Sequence, residues 1–339
     1  MDVPGYFAPY LFRDVLVRLN QLRNRSRYDD GSAILRIKVD DETIPCARPA
    51  PSRSAAEPGI KELTAGFERR SVDGDFGLCD SYIKEPHGEL VRGAAELNRE
   101  SEMEEQIMAI AGTVKSHPAL TNKFYPLWMS QSLPVDHVEM LARNYHERVS
   151  NTPNRIALAF LHMSDTQARA ETVENLYDEM GNGNPDKAHQ LLLSRFFEIL
   201  LSKLRGCPVR FDEIAAPILP STRILVAESQ KLFSSPSPPR VCGALLAQEW
   251  HAYPQLVYMY EGARNYMKVF EQEEFHDACE YFYLHIGATE KQHKIHAVST
   301  AAKMCGTDED IAALRGGFTE YLDLLAANWE EIYARITAD

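Results

Sequence analysis

From Ser101 onward the chain keeps helical apolar spacing almost without a break, and no other feature restricts its fold as strongly. Apolar residues recurring every three to four positions give each helix one stripe to bury. Such helices satisfy that stripe by packing on one another. The spacing predicts helices over 102–116, 122–131, 135–149, 154–163, 167–180, 185–204, 220–234, 239–269, 272–302 and 307–335. Helix-breaking residues punctuate them: His117-Pro118, Leu133-Pro134, Asn151-Thr152-Pro153, the Gly181/Gly183 turn, Cys207-Pro208, and Ser234 to Pro239. Asp136 and Asp165 are the expected N-caps. Residues 101–339 are therefore expected to form one all-α bundle.

The first hundred residues differ. Residues 7–23 have helical spacing, 33–39 fit one short strand, and 45–59 carry four prolines among small residues. That last stretch buries little surface and reads as a linker or mobile loop. The expectation for 1–100 is a mainly helical extension, with dimerisation as its role by analogy alone.

Composition narrows the function. The net charge of −13 argues against a nucleic-acid partner, whose binding surface is basic. No apolar run is long enough to span a bilayer, so no membrane span is expected. The opening MDVPGYFAPYLFRD lacks a basic region ahead of an apolar one, so no secretory leader is expected. Cysteines 46, 79, 207, 242, 279 and 305 are scattered and form no CxxC pair. A reducing cytoplasm fits them.

Four segments carry candidate chemistry. In ENLYDEMGNGNPDKAH, Glu179 ends one helix and His189 opens the next across a glycine turn. That turn can bring both onto one centre, although each alone reads more readily as a surface group. In GALLAQEWHAYPQLVYMYEG, Glu249 lies inside an apolar helix. A carboxylate there needs a proton, a cation or a metal, unless it sits at the bundle edge beside a Lys or Arg. In YFYLHIGATEKQHKIHA, Glu290 and His293 share a face at i, i+3. His285 falls about 140° away on an ideal helix. A π-bulge would return it to that face, with His296 in reserve. In LARNYHERVSNTPNR, Glu147 could add a carboxylate or be a surface charge. One carboxylate or histidine from each of several helices is how bundles hold two metals, and imidazole with carboxylate suits iron or manganese.

These residues resemble the haem-oxygenase-like di-iron oxidases and oxygenases. NLYDEMGNGNPDKAH is similar to that family's Asn-Leu-x-Asp-Glu-x-Gly-x-Gly followed by His ten residues after the Glu. The Glu249 helix, with Pro254 five residues on, is similar to its next ligand helix. YFYLHIGATEKQH resembles its HxxxDxxH motif, with one extra residue and Glu in place of Asp. The resemblance covers roughly residues 101–335. In layout it points to the amine N-oxygenases, including the central domain of the N-nitrosourea-forming enzyme of streptozotocin biosynthesis. No His-rich β-domain follows the bundle before Asp339, so rearrangement to an N-nitroso product is not expected.

The resemblance implies a haem-oxygenase-like bundle holding two Fe(II) through Glu147, Glu179, His189, Glu249, His285, Glu290 and His293. It implies O2 as co-substrate, an amine or amino-acid substrate, an external electron donor and a homodimer. Alternatives on the same scaffold are a desaturase or C–C lyase acting on an amino or fatty acid, and a thiaminase-like hydrolase using Cys242 or Cys279. A metal-free binding module is a third.

Overall fold

The computed structural model describes residues 101–286 and 288–338. The expected extension over 1–100, with its strand and linker, lies outside the described residues. So does the side chain of Glu290.

Every regular element among the described residues is helical. The α-helices are α1 (101–112), α2 (Pro118–Thr121), α3 (Phe124–Ser130), α4 (Val135–Val149), α5 (Thr152–His162), α6 (Thr166–Glu179) and α7 (His189–Arg205). There follow α8 (Pro220–Phe233), α9 (Pro238–Ala263), α10 (Gln272–Ala278), α11 (Glu280–His285), α12 (Ala288–Met304) and α13 (Asp308–Thr337). Short 3₁₀ turns at Thr113–Ser116, Pro185–Lys187, Phe211–Glu213 and Arg264–Val269 tighten the connections.

The bundle is built around α9. Its buried residues run nearly all round the helix, from Val241 and Cys242 to Tyr260 and Ala263, as expected of a helix with neighbours on every side. It packs on α13, α12, α3, α11 and α5. Against α13 the backbones come so close that no Cβ fits at Gly243, which faces the Leu314 carbonyl, or at Gly317, which faces that of Arg240. Leu246, Phe318, Leu322 and Trp329 of these two helices are buried.

Several local expectations hold and others do not. The Asp165 side chain caps α6 by accepting from the Ala168 amide at 2.8 Å. Asp136 does not cap α4; Pro134 holds that position, because its fixed φ already suits the turn, and Asp136 lies in the first turn. The helix expected over 239–269 stops at Ala263 and finishes as 3₁₀. The helix expected over 272–302 is three helices, broken around Cys279 and again between His285 and Ala288. His285 ends one helix, and Glu290 and His293 belong to the next. Helical spacing alone cannot set the register across that break.

Candidate metal centre

The sharpest local signal in the sequence is the turn between α6 and α7. Gly181, Asn182 and Gly183 all have positive φ, at 85°, 54° and 84°. Glycine reaches that region without strain and asparagine tolerates it. A Cβ at Gly181 would collide with the Asn184 carbonyl. Asn182 donates to the Asp178 carboxylate, and the Asn184 side chain accepts from the Asp186 amide. The chain reverses tightly, and the last residue of α6 meets the first residue of α7. Glu179 Oε2 lies 3.2 Å from His189 Nδ1.

α11 brings the third group. The His285 ring lies 4.2 Å from the His189 ring, centroid to centroid, at 63°. Glu179, His189 and His285 each offer a donor atom within 4.8 Å of the others. The His285 Nδ1–H donates to the Tyr281 carbonyl at 2.7 Å. That bond fixes the tautomer and leaves the Nε2 lone pair free, as a metal-bound imidazole requires. Burial, and then the neighbouring His189, hold the His285 pKa down to about 3, so the ring stays neutral. The His189 Nδ1 is buried and has no well-aligned hydrogen bond although Glu179 is close. Burial works against charge on this pair. The attraction between the two outweighs it, lowering the pKa of Glu179 and raising that of His189. Two imidazoles and a carboxylate thus face one another, with one imidazole already tied back for ligation.

A second group sits between α6, α9 and α12. Glu249 is 5% exposed. Its Oε1 accepts from Asn175 Nδ2 at 3.1 Å and Gln248 Nε2 at 3.2 Å, and its Oε2 lies 4.0 Å from His293 Nδ1. Among the described residues no Lys or Arg lies within ion-pair distance of it, so the bundle-edge reading fails. Burial pushes its pKa up, and His293 offsets this only in part. A buried carboxylate held this way calls for a proton or a cation. These donors fit iron, which accepts mixed carboxylate and imidazole sets.

Glu147 does not join either group. It is partly exposed, and the contacts recorded for it are made by its backbone carbonyl. The buried polar side chains from this region are instead Asn144, Arg148 and Arg155. Arg155 Nε donates to Gln248 Oε1 at 2.8 Å, so a guanidinium sits behind the Glu249 side. Arg148 donates to Gln255, which donates to the Tyr145 hydroxyl; that hydroxyl lies 3.5 Å from the Tyr281 hydroxyl. Tyr281 in turn packs its ring 4.5 Å from that of His285. Helical spacing does not single out this buried polar network. Asn175 stands in the sequence as the first residue of the NLYDE motif, one turn before Glu179, with nothing there to tie it to Glu249.

A family model described as an iron-containing redox enzyme matches residues 127–326. No curated protein matches the chain. Among solved structures, a CADD-like protein of unknown function from Nostoc punctiforme is 17% identical, with a TM-score of 0.57 over 69% of this chain and 98% of that one. A TenA homolog from Pseudomonas syringae is 13% identical, with a TM-score of 0.54 over 68% and 91%. A domain of unknown function with a heme oxygenase-like fold from Shewanella denitrificans is 14% identical, with a TM-score of 0.49 over 69% and 92%. At such identities the likeness concerns the fold alone. The all-α, haem-oxygenase-like bundle expected from the sequence is the fold found. No helix among the described residues is long and apolar enough to cross a membrane.

Proposed function

The chain belongs to the iron-containing redox enzyme family, and from that premise we propose that it is a non-haem di-iron monooxygenase that N-oxygenates an amino acid or related amine. One observation carries the reading: two buried carboxylate–histidine groups, one of them with no Lys or Arg partner among the described residues, lie on α6, α7, α9, α11 and α12. Glu179, His189 and His285 would hold one iron. Glu249 and His293, with Glu290 from the same helix, would hold the other. Two Fe(II) ions held at these positions would supply electrons for O2 reduction.

The chain's own residues do the rest. The Tyr281 carbonyl and ring orient His285. Asn175 and Gln248 orient Glu249. Tyr281, Phe282 and Tyr283 are buried and keep bulk water from the α11 side. Placing one oxygen atom on the amine nitrogen and releasing the other as water consumes two further electrons and two protons. An external electron donor is therefore part of the proposal, and so is a homodimer.

The two cysteines named for the hydrolase alternative are poor nucleophiles. Cys242 and Cys279 are fully buried, and burial pushes both thiols far up, away from the reactive thiolate. Cys242→Ala is expected to keep full turnover.

The test is anaerobic Fe(II) titration followed by O2 with a panel of amines. Two irons per chain, O2 uptake and a product heavier by one oxygen atom are expected. Absence of iron binding, or iron without O2 uptake for any amine, would overturn the reading.

A further inference from the structure

Arg155, on α5, is 2% exposed, and among the described residues no carboxylate lies within ion-pair distance of it. A guanidinium buried without a carboxylate is costly, and neutral groups must satisfy its donors. Its Nη2 donates to Thr152 Oγ1 at 2.9 Å, and Nη1 and Nη2 lie 3.4 and 3.5 Å from the Arg148 carbonyl. Its Nε donates to Gln248 Oε1 at 2.8 Å, the shortest of these contacts. The Tyr321 hydroxyl, from α13, donates to the same oxygen at 3.4 Å. Gln248 is 8% exposed on α9 and directly precedes Glu249.

A guanidinium has donors and no acceptor, so the end of the Gln248 amide that faces Arg155 must be its oxygen. The amide nitrogen then turns the other way, where it donates to Glu249 Oε1 at 3.2 Å. Turned over, the amide would set N–H groups against the guanidinium and its oxygen against the carboxylate. Arg155 therefore decides which way the amide points. With a cation at its oxygen and an anion at its nitrogen, each bond polarises the amide in favour of the other.

We propose that Arg155 is a positioning residue for the metal centre: through Gln248 it holds the Glu249 carboxylate in place for the second iron. The inference rests on Glu249 being an iron ligand. A guanidinium acting through its charge alone would behave differently. Its field reaches both Glu179 and Glu249. As a bare charge it would repel both ferrous ions, and removing it would tighten both. Acting through Gln248 it touches Glu249 only, and removing it weakens one iron.

Two readings on the full-length protein decide this. The first uses metal-free protein carrying isotope-labelled glutamine. The Gln248 side-chain amide is identified by its loss from the NMR spectrum of Gln248→Met, and Arg155→Met should speed its exchange with water about tenfold. The second is competition with a coloured Fe(II) chelator. Arg155→Met should weaken the second iron about tenfold, the worth of one hydrogen bond to a charged group, and leave the first unchanged. Added to Gln248→Met, it should cost nothing further, because it acts through that residue. A Gln248 amide unmoved by Arg155→Met would overturn the proposal. So would tighter binding of both irons, equal weakening of both, or further weakening in the double variant. If Arg155→Met fails to fold, Arg155→Gln keeps a polar group at the buried position and carries the same expectations. An amide that loosens in Arg155→Met, in a protein whose wild type takes up no second iron, would sink the di-iron reading and leave the orienting role of Arg155 standing. Two irons beside an amide indifferent to Arg155 would do the reverse.

Discussion

The two halves of the centre are built on opposite electrostatic terms. On the α6–α7 side, Glu179 and His189 compensate each other's charge 3.2 Å apart, and His285 is already tied back by the Tyr281 carbonyl. On the α9–α12 side, Glu249 is held by two side-chain amides and stands 4.0 Å from its histidine, and among the described residues no Lys or Arg lies within ion-pair distance of it. In the first half the two partners balance each other's charge. In the second, burial leaves a carboxylate whose charge is offset only in part, which a metal would relieve. Preassembly favours tight, early binding, whereas a site that must shed a proton binds later and with more dependence on pH.

The largest expected effect is on occupancy. Glu179→Ala and His189→Ala should each abolish the tight iron and turnover with it. Glu249→Ala should remove one iron and leave the tight one. Atomic absorption after anaerobic loading measures this, and full occupancy in Glu249→Ala would break the assignment. In wild type, Fe(II) titration should show two unequal steps; a single step with two equivalent irons would break the comparison itself.

Next comes the support of each half. Asn175→Ala removes a donor from Glu249 and should weaken the second iron about tenfold, while the first stays unchanged. Competition with a coloured Fe(II) chelator would read both constants.

The smallest effect is the most diagnostic, because its sign differs between the halves. In metal-free protein Glu179 has its pKa lowered in the fold, so its charge stabilises the fold above the ordinary carboxylate range and that contribution is lost as pH falls. Glu249 has its pKa raised, so the fold favours its protonated form and is penalised as pH rises through that raised value. At pH near 8, Glu179→Gln should therefore destabilise the metal-free protein, and Glu249→Gln should stabilise it, each on the order of 1 kcal/mol. Chemical denaturation of the two variants, with and without iron, checks both signs. Equal signs would mean that the halves are electrostatically alike.

Away from the centre, His251 gives an independent acid response. Burial, then the nearby Arg148, hold its pKa down to about 3. The unfolded chain binds that proton near its ordinary value of about 6.5, so stability falls as pH drops from there toward 3. His251→Gln should flatten that fall by on the order of 5 kcal/mol at the acid end.

Much of this protein was legible in the order of its residues. Apolar spacing sets a helix locally, because every third or fourth side chain shares a face whatever lies opposite. The glycine turn at Gly181 and Gly183 was equally local, since only a few residues tolerate positive φ, and it fixed Glu179 against His189. Glu249 stood out because a charge inside an apolar helix demands an explanation. Tertiary structure decided the rest. It broke the long helix before Ala288 and so set where His285 falls. It kept Glu147 out of the cluster while burying Arg148 and Arg155, a choice that depends on which face of each helix meets α9. It also brought Asn175 to Glu249 and Thr300 to Glu171, pairs separated by 74 and 129 positions. Contacts across such separations arise from packing between helices, and no short-range periodicity encodes them.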